Sequence, residues 1–154
     1  MNPKPVSASF TQQVQIIMPQ HINGASRLFG GRLMEWIDVV AGVTARRHAG
    51  CDVTTASVGR LDFLAPAGVN DTILLEGRIT WTGRTSMEVR VDTFVEGLDG
   101  KRQQVNRAYL ILVAIDSEGR PTQVPPLELN TPEEHQEWSA ALMRKEAARQ
   151  QALD

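Results

Sequence analysis

Gly30-Gly31-Arg32-Leu33-Met34-Glu35-Trp36-Ile37-Asp38-Val39-Val40-Ala41-Gly42-Val43-Thr44-Ala45-Arg46-Arg47-His48-Ala49-Gly50 runs from a glycine pair to a single glycine. Between them, Arg32 to His48 reads as a helix of about four to five turns. Leu33, Ile37, Val40 and Thr44 form one stripe; Met34, Asp38, Ala41 and Ala45 form the next. A helix apolar over so much of its circumference is wrapped by other structure rather than laid on a surface. Ala41, Gly42 and Ala45 are small enough to let another backbone approach. Gly50 supplies a C-terminal stop.

On either side of this helix the hydrophobic period changes to two. Upstream, Phe10, Gln12, Val14, Ile16 and Met18 alternate with Thr11, Gln13, Gln15 and Ile17, a strand that Pro19 ends. Residues 1–9, with prolines at Pro3 and Pro5, read as a flexible N-terminus. A loop from Gln20 to Leu28 leads to the glycine pair. Downstream come four candidate strands: Val53 to Leu64, Ile73 to Trp81, Ser86 to Glu96 and Val105 to Asp116. In the third, Met87, Val89, Val91 and Val95 oppose Glu88, Arg90, Asp92 and Glu96. Leu98-Asp99-Gly100 has the composition of a hairpin turn. Thr131, Pro132 and Glu134 form a helix start, with N-cap, first-turn proline and capping-box acid. The helix that follows has a narrow stripe, Trp138, Ala141, Leu142 and Lys145, which places it outside the main core. The order predicts an α+β domain over residues 10–126, an antiparallel sheet wrapped around one long central helix. Residues 127–154 form a C-terminal helical extension.

Composition bounds the function. The chain has 154 residues, one domain's worth at roughly 100–200 residues per domain. Sixteen Lys and Arg against eighteen Asp and Glu give a net charge of −2, which argues against a nucleic-acid-binding module. Cys51 is the single cysteine, so neither an intrachain disulfide nor a multi-cysteine zinc site is expected. No apolar run reaches the roughly 18–20 residues needed to span a membrane. The opening residues lack a signal peptide's apolar region. The expectation is a soluble cytoplasmic protein with no metal site.

The residues able to do chemistry crowd the region from His21 to Asp38. Gly30 and Gly31 open a helix, where free N–H groups and the helix dipole favour a developing oxyanion. Glycine in a tight bend explains the same pair. Asp38 lies about two turns into an apolar helix, where an acid is costly unless paired, catalytic or at an interface. A solvated position beside the Arg32–Glu35 pair is the competing explanation. Asn23 suits a turn as well as a site. His48 and Cys51 lack a third orienting group, so a nucleophile pair there carries little weight. Arg84, Thr85 and Ser86 after Gly83, together with Lys101, Arg102 and Arg107, have the donors a phosphate needs, although an exposed turn has the same composition.

Taken together, these words resemble the hotdog-fold acyl-CoA thioesterases, in the branch of the brain-type and bacterial acyl-CoA hydrolases. The matching stretches are Met18-Pro19-Gln20-His21-Ile22-Asn23, Leu28-Phe29-Gly30-Gly31-Arg32-Leu33-Met34-Glu35-Trp36-Ile37-Asp38, Leu61-Asp62-Phe63-Leu64-Ala65-Pro66, Gly83-Arg84-Thr85-Ser86-Met87-Glu88-Val89 and Val113-Ala114-Ile115-Asp116. They fall in order between about Phe10 and Pro126. The resemblance implies a hotdog fold and an acyl-CoA hydrolase. It implies a homodimer whose two sheets join edge to edge, commonly three dimers to a hexamer, with sites at the interface. It implies Asn23 of one protomer and Asp38 of the other as the catalytic pair. A backbone N–H at Gly31 would serve as carbonyl donor, with Gly30 beside it. It implies that the coenzyme A phosphates lie near Arg84, Thr85, Ser86 and Arg107. No cofactor is implied, since coenzyme A is part of the substrate.

Two positions depart from the family pattern. Ser26, followed by Arg27, stands where the family often has glycine, which restricts the loop backbone and changes what enters the site. Asn70-Asp71 stands for a Gly-Asp pair, a mild change because asparagine tolerates the left-handed conformation. Two other classes compete with hydrolysis. A hotdog hydratase or dehydratase would call for a helix-entry histidine with a nearby acid, and that signature is absent. A non-catalytic acyl-CoA-binding or sensing protein would not need Asp38.

Overall fold

Twenty residues, Gly30–Ala49, form α1, and five strands curl around it. The structure is a computed structural model that describes residues 1–153 of the chain. In chain order the elements are β1 (Lys4–Pro5), β2 (Thr11–Ile16), α1, β3 (Val53–Phe63), β4 (Thr72–Thr82), β5 (Ser86–Glu96), β6 (Arg102–Ala114), β7 (Leu127–Glu128) and α2 (Pro132–Leu153). The main sheet has the order β2-β4-β5-β6-β3, and every neighbouring pair is antiparallel. This is the sheet wrapped around one helix that the residue pattern predicts, and the hotdog architecture that the family resemblance implies.

The inner face of the sheet and the inner stripe of α1 build the core. Leu33, Ile37, Val40, Ala41 and Ala45 pack against Ile73, Leu75, Ile79, Val89, Val91 and Leu110, all fully buried or nearly so. Each large apolar side chain removed from water in this way contributes about 1.5–3 kcal/mol. The close approach of helix to sheet falls at Gly77 of β4, where a Cβ would lie 2.5 Å from Thr44 Oγ1 and 2.8 Å from Val40 Cγ1. The sequence reading offers Ala41, Gly42 and Ala45 for a close approach, and of these Ala41 and Ala45 are fully buried in the core. Gly42 has open space around it, because it sits beside an exposed α1 face carrying Glu35, Asp38, Val39 and Arg46. At the far end Gly50 takes φ +72° and its N–H donates to the Arg46 carbonyl, the left-handed cap expected there.

Two expectations need correction, and one left open is decided. The first nine residues are not a loose end. Lys4–Pro5 pairs in parallel with Leu127–Glu128, and Val6 and Ser9 are buried. The prolines are tolerated because this ribbon has only two strands and two residues in each.

On β2, whose facing the alternation leaves open, the side carrying Val14 and Ile16 faces outward. Val14 and Ile16 are more than half exposed, while Thr11 and Ile17 are buried.

On α2 the expected stripe is only partly right. Ala141 is buried and Trp138 packs on Trp81 with ring centroids 6.0 Å apart, but Leu142 is half exposed. In its place Glu137 and Arg144 face the outer side of the sheet, because that side carries charge. Glu88 and Asp92, on the polar side of β5, are 3% and 1% exposed. Arg144 donates to Glu88 at 2.7 Å, Thr80 donates to Glu88 at 2.6 Å, and Arg90 and Arg107 donate to Asp92 at 2.8 and 2.6 Å. Buried carboxylates persist only when paired in this way.

Candidate active site

The start of α1 leaves donors free. Arg32 and Leu33 give their N–H groups to the Phe29 carbonyl, as the first turn of a helix does. Among the described residues, the N–H groups of Gly30 and Gly31 have no acceptor. Phe29 precedes the helix without a side-chain cap, so nothing competes with a ligand for those two donors. A Cβ at Gly31 would come within 2.6 Å of the Phe29 ring, whereas Gly30 has ordinary room beside Phe63. Gly31 therefore answers to local crowding as well as to donor access.

The loop before the helix is tied together by Asn23 and His21. Asn23 Oδ1 accepts the N–H of Ala25 at 2.9 Å and of Arg27 at 3.2 Å. Its own N–H donates to the Arg27 carbonyl at 2.8 Å. With the side-chain oxygen committed to the loop, the amide NH2 remains as the group Asn23 can offer a substrate. His21 Nδ1 accepts the Met18 N–H at 2.9 Å, its carbonyl accepts the Phe29 N–H at 2.8 Å, and its ring meets Trp36 edge-on at 5.1 Å. His21 thus ties the loop to α1. The two departures from the family pattern are, among the described residues, the two non-glycine residues with positive φ, Ser26 at 60° and Asn70 at 71°.

Asn23 opens onto a cleft of about 340 Å³ walled by Leu28, Leu33, Phe63, Leu64, Pro66 and Val105, with Arg27 as the other polar lining residue. Phe63 and Leu64 are well exposed on its rim. Asp38 is not part of this lining. It lies on the outward face of α1, exposed in the single chain, and accepts a 2.7 Å hydrogen bond from Thr55 Oγ1. The β3–β6 ladder skips Ala56, so β3 is irregular directly after Thr55. One hydrogen bond occupies Oδ1 of Asp38 and leaves the other oxygen open. Thr55 is absent from the candidates drawn from the sequence, because Thr54, Thr55 and Ser57 are alike as strand residues and only the fold selects one.

The phosphate candidates are not gathered in one chain. Arg84 and Thr85 lie in the β4–β5 turn and Ser86 opens β5; the Arg84 and Thr85 carbonyls accept from Val124 and Ala114. The exposed Arg84 side chain is free to reach outward. Arg107 pairs across the ladder with Asp92, six residues along β5 from Ser86. That is a separation of about 20 Å at the rise of a strand. Its Nε is also engaged by the Asp92 carboxylate at 2.6 Å. His48 and Cys51 form no dyad. His48 is fully buried and its Nε2 lies 2.7 Å from the Pro125 carbonyl, so the proton is on Nε2. Burial pushes the His48 pKa below its ordinary value, against the pull of that hydrogen bond.

Comparison with known proteins follows the same residues. Residues 26–99 match the family model described as the thioesterase superfamily. An uncharacterized acyl-CoA thioester hydrolase of Bacillus subtilis is 40% identical over 129 residues, covering 83% of this chain and 75% of that protein. The chain belongs to the thioesterase superfamily. Within that superfamily an apo-hexameric acyl-CoA thioesterase superposes with a TM-score of 0.95 at 38% identity, covering 99% of this chain and 98% of its own. The acyl-CoA hydrolase of Staphylococcus aureus, solved with butyryl coenzyme A, coenzyme A and coenzyme A disulfide, superposes at 0.92 with 32% identity, covering 97% and 92%. Three further structures are alanine variants of that S. aureus enzyme, with TM-scores from 0.91 to 0.94 at 31–32% identity, each covering at least 97% of this chain and 92% of its own. The altered residues are an asparagine, an aspartate fifteen positions on and a threonine seventeen beyond that. Asn23, Asp38 and Thr55 stand at the same spacing in this thioesterase-superfamily chain.

Proposed function

We propose that the protein is an acyl-CoA thioester hydrolase that releases a free fatty acid and coenzyme A. The observation that carries the reading is the Asp38 carboxylate, held at one oxygen by Thr55 and open at the other. It stands on a helix that begins with two unpaired N–H groups. The matching spacing in the S. aureus variants supports the same three residues.

The thioester carbonyl accepts the Gly31 N–H, with Gly30 beside it, and Asn23 orients the carbonyl or the attacking water through its amide NH2. Asp38 takes the proton from that water as it adds to the carbonyl carbon, or attacks the carbon itself to give a mixed anhydride that water opens. Either way the carbon–sulfur bond breaks, the electron pair leaves on sulfur, and the thiolate takes up a proton. An N–H donor in that position is worth about 3–4 kcal/mol of barrier. Label from heavy-oxygen water found in Asp38 after a single turnover identifies the anhydride route with water opening it at the Asp38 carboxyl carbon.

The working unit of this reading is a homodimer, with Asn23 and Asp38 contributed by different protomers. It is supported by β3, an eleven-residue edge strand that is largely exposed in the single chain, as an edge awaiting a partner strand would be. Three dimers form a hexamer, the assembly named for the apo-hexameric relative. Coenzyme A phosphates are met by Arg84, Thr85 and Ser86, with Arg107 of a different protomer where assembly brings it near. No resident cofactor takes part. No helix among the described residues is long and apolar enough to cross a membrane, and the place of action in this reading is the cytoplasm.

The test is thiol release from acyl-CoAs of acetyl to palmitoyl length. The wild type releases thiol from part of the panel, and Asp38→Asn loses that release while still binding coenzyme A. Binding of acyl-CoA without release by the wild type contradicts the reading.

A further inference from the structure

The loop that carries Asn23 also carries an arginine whose side chain has no partner among the described residues. Asn23 Oδ1 accepts the Arg27 N–H at 3.2 Å, and the Asn23 N–H donates to the Arg27 carbonyl at 2.8 Å. Next along the chain, the Leu28 N–H donates to the Ala67 carbonyl at 2.7 Å and Leu28 bridges to Ile22. The backbone of Arg27 is therefore clamped beside the candidate catalytic asparagine. Its guanidinium makes no hydrogen bond or ion pair among the described residues. The carboxylates of the neighbouring segments are engaged elsewhere: Asp62 by Arg60 at 2.9 Å, and Asp71 by the Gly68 N–H at 2.8 Å.

That guanidinium lines the cleft of about 340 Å³ onto which Asn23 opens, and the eight lining residues other than Asn23 and Arg27 are apolar. An apolar cleft beside the reacting carbonyl is where an acyl chain goes. A plain alkyl chain gives a cation nothing to bind, whereas a carboxylate matches the guanidinium fork with two parallel hydrogen bonds. Coenzyme A phosphates are the other anions of the substrate. They bring several charges, and this cleft holds one cation on an otherwise apolar wall. We propose that Arg27 is a specificity-determining residue that pairs with a carboxylate on the acyl group, so that this site favours carboxyacyl-CoA thioesters, the half-thioesters of dicarboxylic acids. The proposal rests on the hydrolase reading of the same site and adds the substrate class to it.

Length-matched pairs test it: glutaryl-CoA against pentanoyl-CoA, and adipoyl-CoA against hexanoyl-CoA, with kcat/KM measured for each. The wild type favours the carboxylated member of at least one pair. Arg27→Gln lowers the carboxylated-to-neutral ratio at least about fivefold, the size expected for a partly exposed ion pair, and Arg27→Glu lowers it further. The Arg27 side chain is exposed, so neither substitution disturbs the core. A ratio unchanged in both variants overturns the proposal. So does an equal loss on both members that disappears with acyl-pantetheine thioesters, which would assign Arg27 to the coenzyme A phosphates. A wild type that hydrolyses members of the acetyl-to-palmitoyl panel but none of the four also overturns the proposal; one that hydrolyses neither set defeats the hydrolase reading instead. Calorimetric titration with the same four thioesters then decides Arg27, by whether Arg27→Gln removes tighter binding of the carboxylated members.

Discussion

Thr55 and Asp38 come from different elements, β3 and α1, and meet through one hydrogen bond of 2.7 Å. A hydroxyl that fixes one carboxylate oxygen sets the direction of the other, so its loss acts on turnover more than on binding. Thr55→Val lowers kcat about tenfold, in line with a hydrogen bond to a charged group, and Thr55→Ser restores most of it. Steady-state kinetics on one good substrate reads both variants. An unchanged kcat in Thr55→Val would remove Thr55 from the site.

His48 makes a second prediction at this scale. Burial holds its folded pKa below the ordinary 6.5, with the Pro125 hydrogen bond opposing and Lys4 adding to the depression. Above pH 6.5 both the folded and the unfolded chain keep the ring neutral. As pH falls below that value the unfolded chain takes up the proton first, so stability declines until the folded protein protonates too. His48→Gln keeps a donor for the Pro125 carbonyl and removes that share of the decline. Urea midpoints between about pH 7.5 and 5.5 reveal the difference.

α2 is held to the sheet by charge as much as by apolar contact. Arg144 donates to the buried Glu88 and lies over the Tyr109 ring at 3.8 Å. Burial, then the charge of Glu137, raises the Tyr109 phenol above its ordinary pKa. Arg144→Ala strands the Glu88 carboxylate with Thr80 alone. The expected cost is about 2 kcal/mol, less than for a fully buried pair because the arginine is a third exposed. Denaturant unfolding measures it, and a change near zero would mean that α2 is not anchored there.

The same element shows what a sequence can carry. α1, β4 and β5 are legible because periods of 3.6 and 2 persist along them, and β3 and β6 because apolar and β-branched runs are bounded by Gly and Pro. The burial of the charged side of β5 is not, because Glu88 and Asp92 look like solvent-facing residues until α2 and the arginines are placed over them. The inward side of β2 is equally hidden. Its more apolar residues, Val14 and Ile16, are the exposed ones, and alternation says that a strand has two faces without saying which faces the helix. At the candidate site, Asn23, Gly30, Gly31 and Asp38 stand out through the family resemblance. Thr55 does not, since its partner is seventeen residues away and only the wrapping of β3 on α1 brings them together.

The whole molecule accounts for why the catalytic candidates lie apart in one chain. Asn23 faces the cleft beside Leu33 and Phe63, while Asp38 sits on the outward face of α1 among exposed residues such as Val39. In the proposed two-fold dimer each interface repeats, so one Asn23 and one Asp38 from opposite protomers would make each of two sites. Mixed oligomers test this most directly. Asn23→Ala and Asp38→Asn protomers, each inactive alone, are co-expressed with different tags, and thiol release is measured on the doubly purified species. Shared sites predict that each mixed dimer has one intact site of two, so the doubly purified dimer shows about half of wild-type activity, against about a quarter for the unpurified equal random mixture. Mixed oligomers as inactive as either parent would contradict the shared site and place both residues within a single protomer's chemistry.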